Sequence, residues 1–204
     1  MAAFPNLNSL AQQIFEDNQK KGFWTFDRSN AQLLVLIQSE MFEALEAERK
    51  STYAKERINC QQKIGTAEFQ QFFKENIKDS LEDELADTVI RILDMCGGRK
   101  VDLSSIYLIP NLRSWTQEND SLSLMPTEKY SLAAIVLEFR YLISRLLQQT
   151  ANTTYPEQVL AKGASQLLLF VLSVAQHYQV RIWEHVELKL AYNRNRAHKH
   201  GKKY

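Results

Sequence analysis

Two pairs of carboxylates have the type and spacing to do chemistry: Glu40-x-x-Glu43 in SEMFEALEAERK and Glu84-x-x-Asp87 in SLEDELADTVIRILD. On a helix, residues three apart share a face one turn from each other, so each pair offers two carboxylates to one place. Glu40 and Glu43 are interleaved with Ile37, Met41, Ala44 and Leu45, and Glu84 and Asp87 run into Val89, Ile90, Ile92 and Leu93. Acids at the margin of a core-facing stripe are costly unless something compensates them. If the two helices pack antiparallel, all four converge, and their mutual repulsion would keep some protonated. A divalent cation removes that conflict. All-oxygen ligation without histidine or cysteine favours a hard ion, Mg²⁺ first and Mn²⁺ second, and Mg²⁺ usually takes substrate phosphate, which points to phosphoryl chemistry.

A plainer reading competes. Such acidic pairs are common on solvated helix faces, and Glu46, Glu48, Glu82 and Asp83 read as surface acids of that kind. A carboxylate-bridged di-iron bundle would need Glu-x-x-His. None of His177, His185, His198 and His200 has a glutamate three residues before it.

The elements that must position these acids are helices. The chain holds six glycines and four prolines, and no stretch alternates cleanly with period two. The pattern predicts helices over Asn8–Lys20, Ala31–Lys50 with Ser29 or Asn30 as cap, Ala67–Glu75, and Ser80–Met95, broken by Gly97-Gly98. Further helices are expected over Glu128–Gln149, Pro156–Tyr178 and Ile182–Arg194, with a short turn beginning at Asp102 or Ser104. Ser51–Thr66 and Pro110–Thr127 read as connections, and AHKHGKKY as a basic tail. A faint internal repeat sets GGRKVDLSSI beside HYQVRIWEHV, so that Val101 falls over Val180, Leu103 over Ile182, Glu84 over Gly163 and Asp87 over Gln166. It suggests a duplicated helical hairpin whose second copy has lost its acids.

Composition bounds the rest. At 204 residues the chain suits one all-α domain: metal-binding helices over 1–100, an additional helical hairpin over 101–180, and a basic C-terminal helix and tail over 181–204. A net charge of +1 argues against a protein whose whole surface binds nucleic acid or anionic lipid, and leaves room for a local basic site. Cys60 and Cys96 form no C-x-x-C pair and read as reduced thiols in a cytoplasmic protein. No signal peptide is evident, and LLLFVLSVA, from Leu167 to Ala175, is too short to span a bilayer and reads as a buried core helix.

Three blocks in order, SEMFEALEAERK, FKENIKDSLEDELADTVIRILDMCG and KLAYNRNRAHKHGKKY, resemble the MazG-like all-α nucleoside triphosphate pyrophosphohydrolases. The resemblance covers roughly the first hundred residues and the last twenty. It implies a multi-helix bundle, a homodimer, and Mg²⁺-dependent cleavage of a (deoxy)nucleoside triphosphate to monophosphate and pyrophosphate. It makes Glu40, Glu43, Glu84 and Asp87 the metal ligands. A carboxylate not fully engaged by metal, expected to be Glu43, would take the proton of the attacking water. The family's K-x-x-x-N-x-x-R element falls on Lys189, Asn193 and Arg196. Lysine and arginine suit phosphate oxygens, and asparagine suits phosphate, ribose or base. Phe23, Trp24 and Phe26 stand where such enzymes place base-stacking residues, with Trp24 the expected one. Phosphoribosyl-ATP pyrophosphohydrolase shares the superfamily, and nothing in the sequence selects its substrate.

The chain departs from compact members in two places: a longer segment between Glu43 and Glu84, and about eighty residues between the second acidic helix and the basic element. A degenerate second hairpin standing in for a partner subunit would explain the latter. The alternative function is a non-catalytic helical scaffold or regulatory module that keeps the bundle.

Overall fold

In the computed structural model, residues 5–55, 60–104, 131–154 and 156–196 are described; they contain seven α-helices and no strand. The helices are α1 (Leu7–Lys20), α2 (Asn30–Arg49), α3 (Phe69–Asn76), α4 (Leu81–Gly98), α5 (Leu132–Ala151), α6 (Pro156–His177) and α7 (Ile182–Arg194). A single 3-10 turn, Cys60–Lys63, falls in the stretch expected to be loop. The Pro110–Thr127 connection and the basic tail lie outside the described residues.

Side chains near the chain's own backbone set where three of these helices begin. Asn6 accepts from the Ser9 N–H and starts α1. Ser29 and Gln32 form a reciprocal capping box at α2. Ser80 accepts from the Asp83 N–H and starts α4. Each such cap is worth about 1 kcal/mol.

Helix α4 is the central element. It packs against α1, α2, α6 and α7, while α5 packs against α6 and α2. Its apolar residues, Leu81 to Cys96, join those of α1, α2, α5 and α6 in one continuous core. A second, smaller core joins α3 to α7, where Phe73 stacks on Tyr192 with ring centroids 4.3 Å apart.

Gly97 and Gly98 do not break α4, contrary to the sequence expectation; both lie inside it. A Cβ at Gly97 would run into the Ala11 carbonyl oxygen and come within 2.7 Å of Phe15 Cβ, so this glycine lets α1 lie close against α4. A Cβ at Gly98 would meet the Trp24 indole, 2.7 Å from Cζ2.

Helices α4 and α6 end alike. Lys100 (φ 52°) and Gln179 (φ 56°) take the left-handed conformation. The next N–H, of Val101 or Val180, then bonds back to Cys96 or Ala175 at 2.9 and 2.7 Å. Val101 and Val180 are a pair that the expected repeat sets together. Helix α6 is long and apolar enough to cross a membrane by length and composition, but 67% of its most apolar window is buried inside the protein.

Candidate metal centre

Helices α2 and α4 run antiparallel. The N-terminal end of α2 meets the C-terminal end of α4 where Arg99 Nε donates to Asn30 Oδ1 at 2.8 Å. At the other end the Leu81 N–H donates to the Thr52 carbonyl at 3.0 Å. That arrangement brings carboxylate oxygens of Glu40, Glu84 and Asp87 within 4.8 Å of one another. Glu40 and Glu84 are buried and Asp87 half-buried. Glu43, one turn further along α2, is exposed, and its charge still reaches Glu84. Carboxylate oxygens of Asp79, Asp83 and Glu84 also lie within 4.8 Å of one another, a second group that shares Glu84 with the first.

The electrostatics are those of too many acids in too little water. Burial, followed by the charges of Asp83 and Asp87, pushes the Glu84 carboxyl from its ordinary 4.5 up to about 9, against the pull of Lys189. Burial likewise pushes Asp83 up to about 6, with Lys189 opposing. Two cations from the protein answer part of this charge. Lys189 Nζ donates to Asp83 Oδ2 and Asp87 Oδ2, both at 2.8 Å. Arg91 Nε donates to Glu40 Oε1 at 2.8 Å. Burial alone would lower the pKa of either cation, but the facing carboxylates more than offset it and hold both in the charged form.

The residues fit a hard divalent ion. The donors are all carboxylate oxygens, and the acid most central to them holds a proton well above neutral pH when no ion is present. Arg91 and Lys189 each take one oxygen of a converging acid, which fixes how Glu40 and Asp87 present the other.

Two sequence expectations are corrected here. Glu82 and Asp83, read as surface acids, are buried. Glu82 accepts the Ala54 N–H at 2.8 Å. Asp83 accepts the Asp79 N–H at 3.0 Å and pairs with Lys189, and its Oδ1 has no hydrogen-bond partner among the described residues. Glu46, by contrast, is a surface acid paired with Lys50 at 3.0 Å.

Of the basic C-terminal element, Lys189 reaches the acids and is itself buried. Asn193 accepts a long 3.4 Å bond from Arg196, whose guanidinium lies 5.6 Å from the Tyr192 ring centroid. Lys21, at the end of α1, pins this segment by donating to the carbonyls of Arg194 and Arg196. Trp24 is half-buried, with its ring edge-on to Phe15 and its Nε1–H donating to Asp94 at 3.0 Å.

Sequence reasoning missed Asp83, Arg91, Asp94 and Arg28. Asp94 is buried and, by burial first, raised to about 6, with Asn18, Trp24, Arg91 and Arg28 pulling the other way. A signal was present: Asp87, Arg91 and Asp94 follow one another at helical spacing through an otherwise apolar run. Comparison of the chain with family models, curated proteins and solved structures found no match.

Proposed function

We propose that this chain is a Mg²⁺-dependent nucleotide pyrophosphohydrolase. The carrying observation is the convergence of Glu40, Glu84 and Asp87 from antiparallel helices, with more carboxyl groups than Lys189 and Arg91 pair, so that Glu84 is left holding a proton. Bound at these acids, Mg²⁺ would supply charge neutralisation for the phosphates of a nucleoside triphosphate. The chain's own residues do the rest. Glu43, exposed beside the triad, takes the proton of a water whose oxygen forms a bond to the α-phosphorus while the bond to the departing pyrophosphate breaks. Lys189 holds Asp87 and Asp83 in register, and Arg91 holds Glu40. Asn193 and Arg196, further along α7 and beyond its end, face the nucleotide in this reading, and a homodimer completes it.

A non-catalytic helical scaffold is the second reading. It is favoured by one observation: Lys189 and Arg91 already pair Asp83, Asp87 and Glu40, as a purely structural ionic network would.

The test is pyrophosphate release from a panel of nucleoside triphosphates, with Mg²⁺ and with EDTA, for wild type, Glu40→Gln, Asp87→Asn and Glu84→Gln. Mg²⁺-dependent release is expected, lost by about a hundredfold or more in each variant while the fold persists. Wild-type rates in any variant, or no release from any nucleotide, would overturn the reading in favour of the scaffold.

A further inference from the structure

Along α2 from the acids lies a cavity of about 520 Å³ lined by Phe26, Arg28, Ala31, Gln32, Val35 and Leu36. The lining residues of α2 run from Ala31 to Leu36; Leu36 stands one turn before Glu40 and Gln32 two turns, about 12 Å along the helix axis, before it. Arg28 ties the two regions together: its electrostatic neighbours are Arg91, which bonds Glu40, and Asp94.

The walls are apolar except for two polar side chains. Phe26 and Val35 are more than half exposed, surface that a flat apolar ligand would cover. Arg28 is 3% exposed, and its Nη2 has no hydrogen-bond partner. Its guanidinium lies 5.5 Å from the Phe26 ring centroid. Gln32 spends its Oε1 on the Ser29 N–H in the capping box, which leaves the two N–H groups of its amide. Both polar groups are therefore donors, and a complementary ligand must present acceptors only.

We propose that this cavity is the base subsite of the nucleotide and that it takes a 6-oxopurine, guanine or hypoxanthine, whose O6 and N7 accept from Arg28 and Gln32. Those two atoms are adjacent acceptors on one edge, the edge that arginine reads in guanine. Adenine places an amino donor beside its N7, and cytosine presents an amino donor at that edge, so each would set donor against donor. Uracil and thymine offer one acceptor there and a smaller ring. The exposed Phe26 ring gives the purine a face to stack on.

The inference rests on the nucleotide reading of the acids, and the experiment separates the two. kcat/KM is measured with Mg²⁺ for dGTP, dITP, dATP, dCTP and dUTP, and binding of GMP and AMP is measured by calorimetry, on the full chain. The expected result is a preference for dGTP and dITP of about tenfold or more, the discrimination one arginine–guanine contact gives. Arg28→Met should collapse that preference to about twofold. Gln32→Glu is the second variant: glutamate serves the capping box as well as glutamine, so the fold is kept, while a donor becomes an acceptor and the preference falls.

If dATP or a pyrimidine is turned over as well as dGTP, or if the preference survives both substitutions, the subsite assignment is wrong and the hydrolase stands. If no triphosphate is hydrolysed, the hydrolase reading fails. Arg28-dependent binding of GMP over AMP would still uphold the subsite, and equal binding of the two would sink it as well.

Discussion

Lys189 places two of its three donors on acids of α4, Asp83 and Asp87, and lies 5.7 Å from the Phe73 ring centroid. Removing it strands buried carboxylates. Asp83 is 1% exposed, and breaking a buried pair from one side costs about 3–5 kcal/mol because the remaining charge stays desolvated. Lys189→Met should therefore lower stability by that amount in a denaturant titration at neutral pH. Adding Asp83→Asn should recover part of the loss, since it removes the stranded charge; a double variant no more stable than the single would show that the pair is not the cause. At this scale the sequence was legible where residue type implied a face: of the four acids expected to converge, Glu40, Glu84 and Asp87 do, while Glu43 is exposed outside that group. It was not legible where partners came from afar. Nothing near Asp83 says that a lysine more than a hundred residues later will bury it.

At the scale of elements, helix starts were the most legible feature, because capping is local. Ser29 and Gln32 carry the start of α2 within four residues. The end of α4 was misread, because two adjacent glycines serve as turn residues or as small residues at a helix crossing, and only the neighbouring helix decides between these. Here α1 decides it. Gly97→Ala would press a methyl into the Ala11 carbonyl and Phe15, both on α1, and backbone cannot swing aside as a flexible side chain does. The expected cost is about 1–3 kcal/mol. The alanine's better helix propensity returns less than about 1 kcal/mol. A thermal melt showing Gly97→Ala equal to or above wild type would mean that α1 does not lie against α4 as described. Helices α4 and α6 also close with the same left-handed turn, at Lys100 and Gln179.

For the whole molecule, the concentration of acid on α4 sets a pH dependence that a bound ion should reverse. The carboxyl of Glu84 is raised in the fold from 4.5 to about 9. Below about pH 4.5 folded and unfolded chains both hold that proton, and the group costs nothing. Between about 4.5 and 9 the unfolded chain has released it and the folded chain has not, so the folded state binds more protons and stability falls as pH rises. Asp83 and Asp94, raised to about 6, act with the same sign over a lower window, from about 4 to 6. In metal-free buffer the melting temperature should therefore decline from pH 5 to pH 9, and Glu84→Gln should flatten the upper part of that decline. Mg²⁺ favours the ionised acid. It should raise the melting temperature most at high pH and release a proton on binding, which calorimetry reads as a binding enthalpy that changes with the buffer's own ionisation enthalpy. A wild-type melting temperature that rises from pH 6 to pH 9 without metal, or a Mg²⁺ response equal in wild type and Glu84→Gln, would show that Glu84 is not the acid that holds the proton, and the ion would have to sit elsewhere on the molecule.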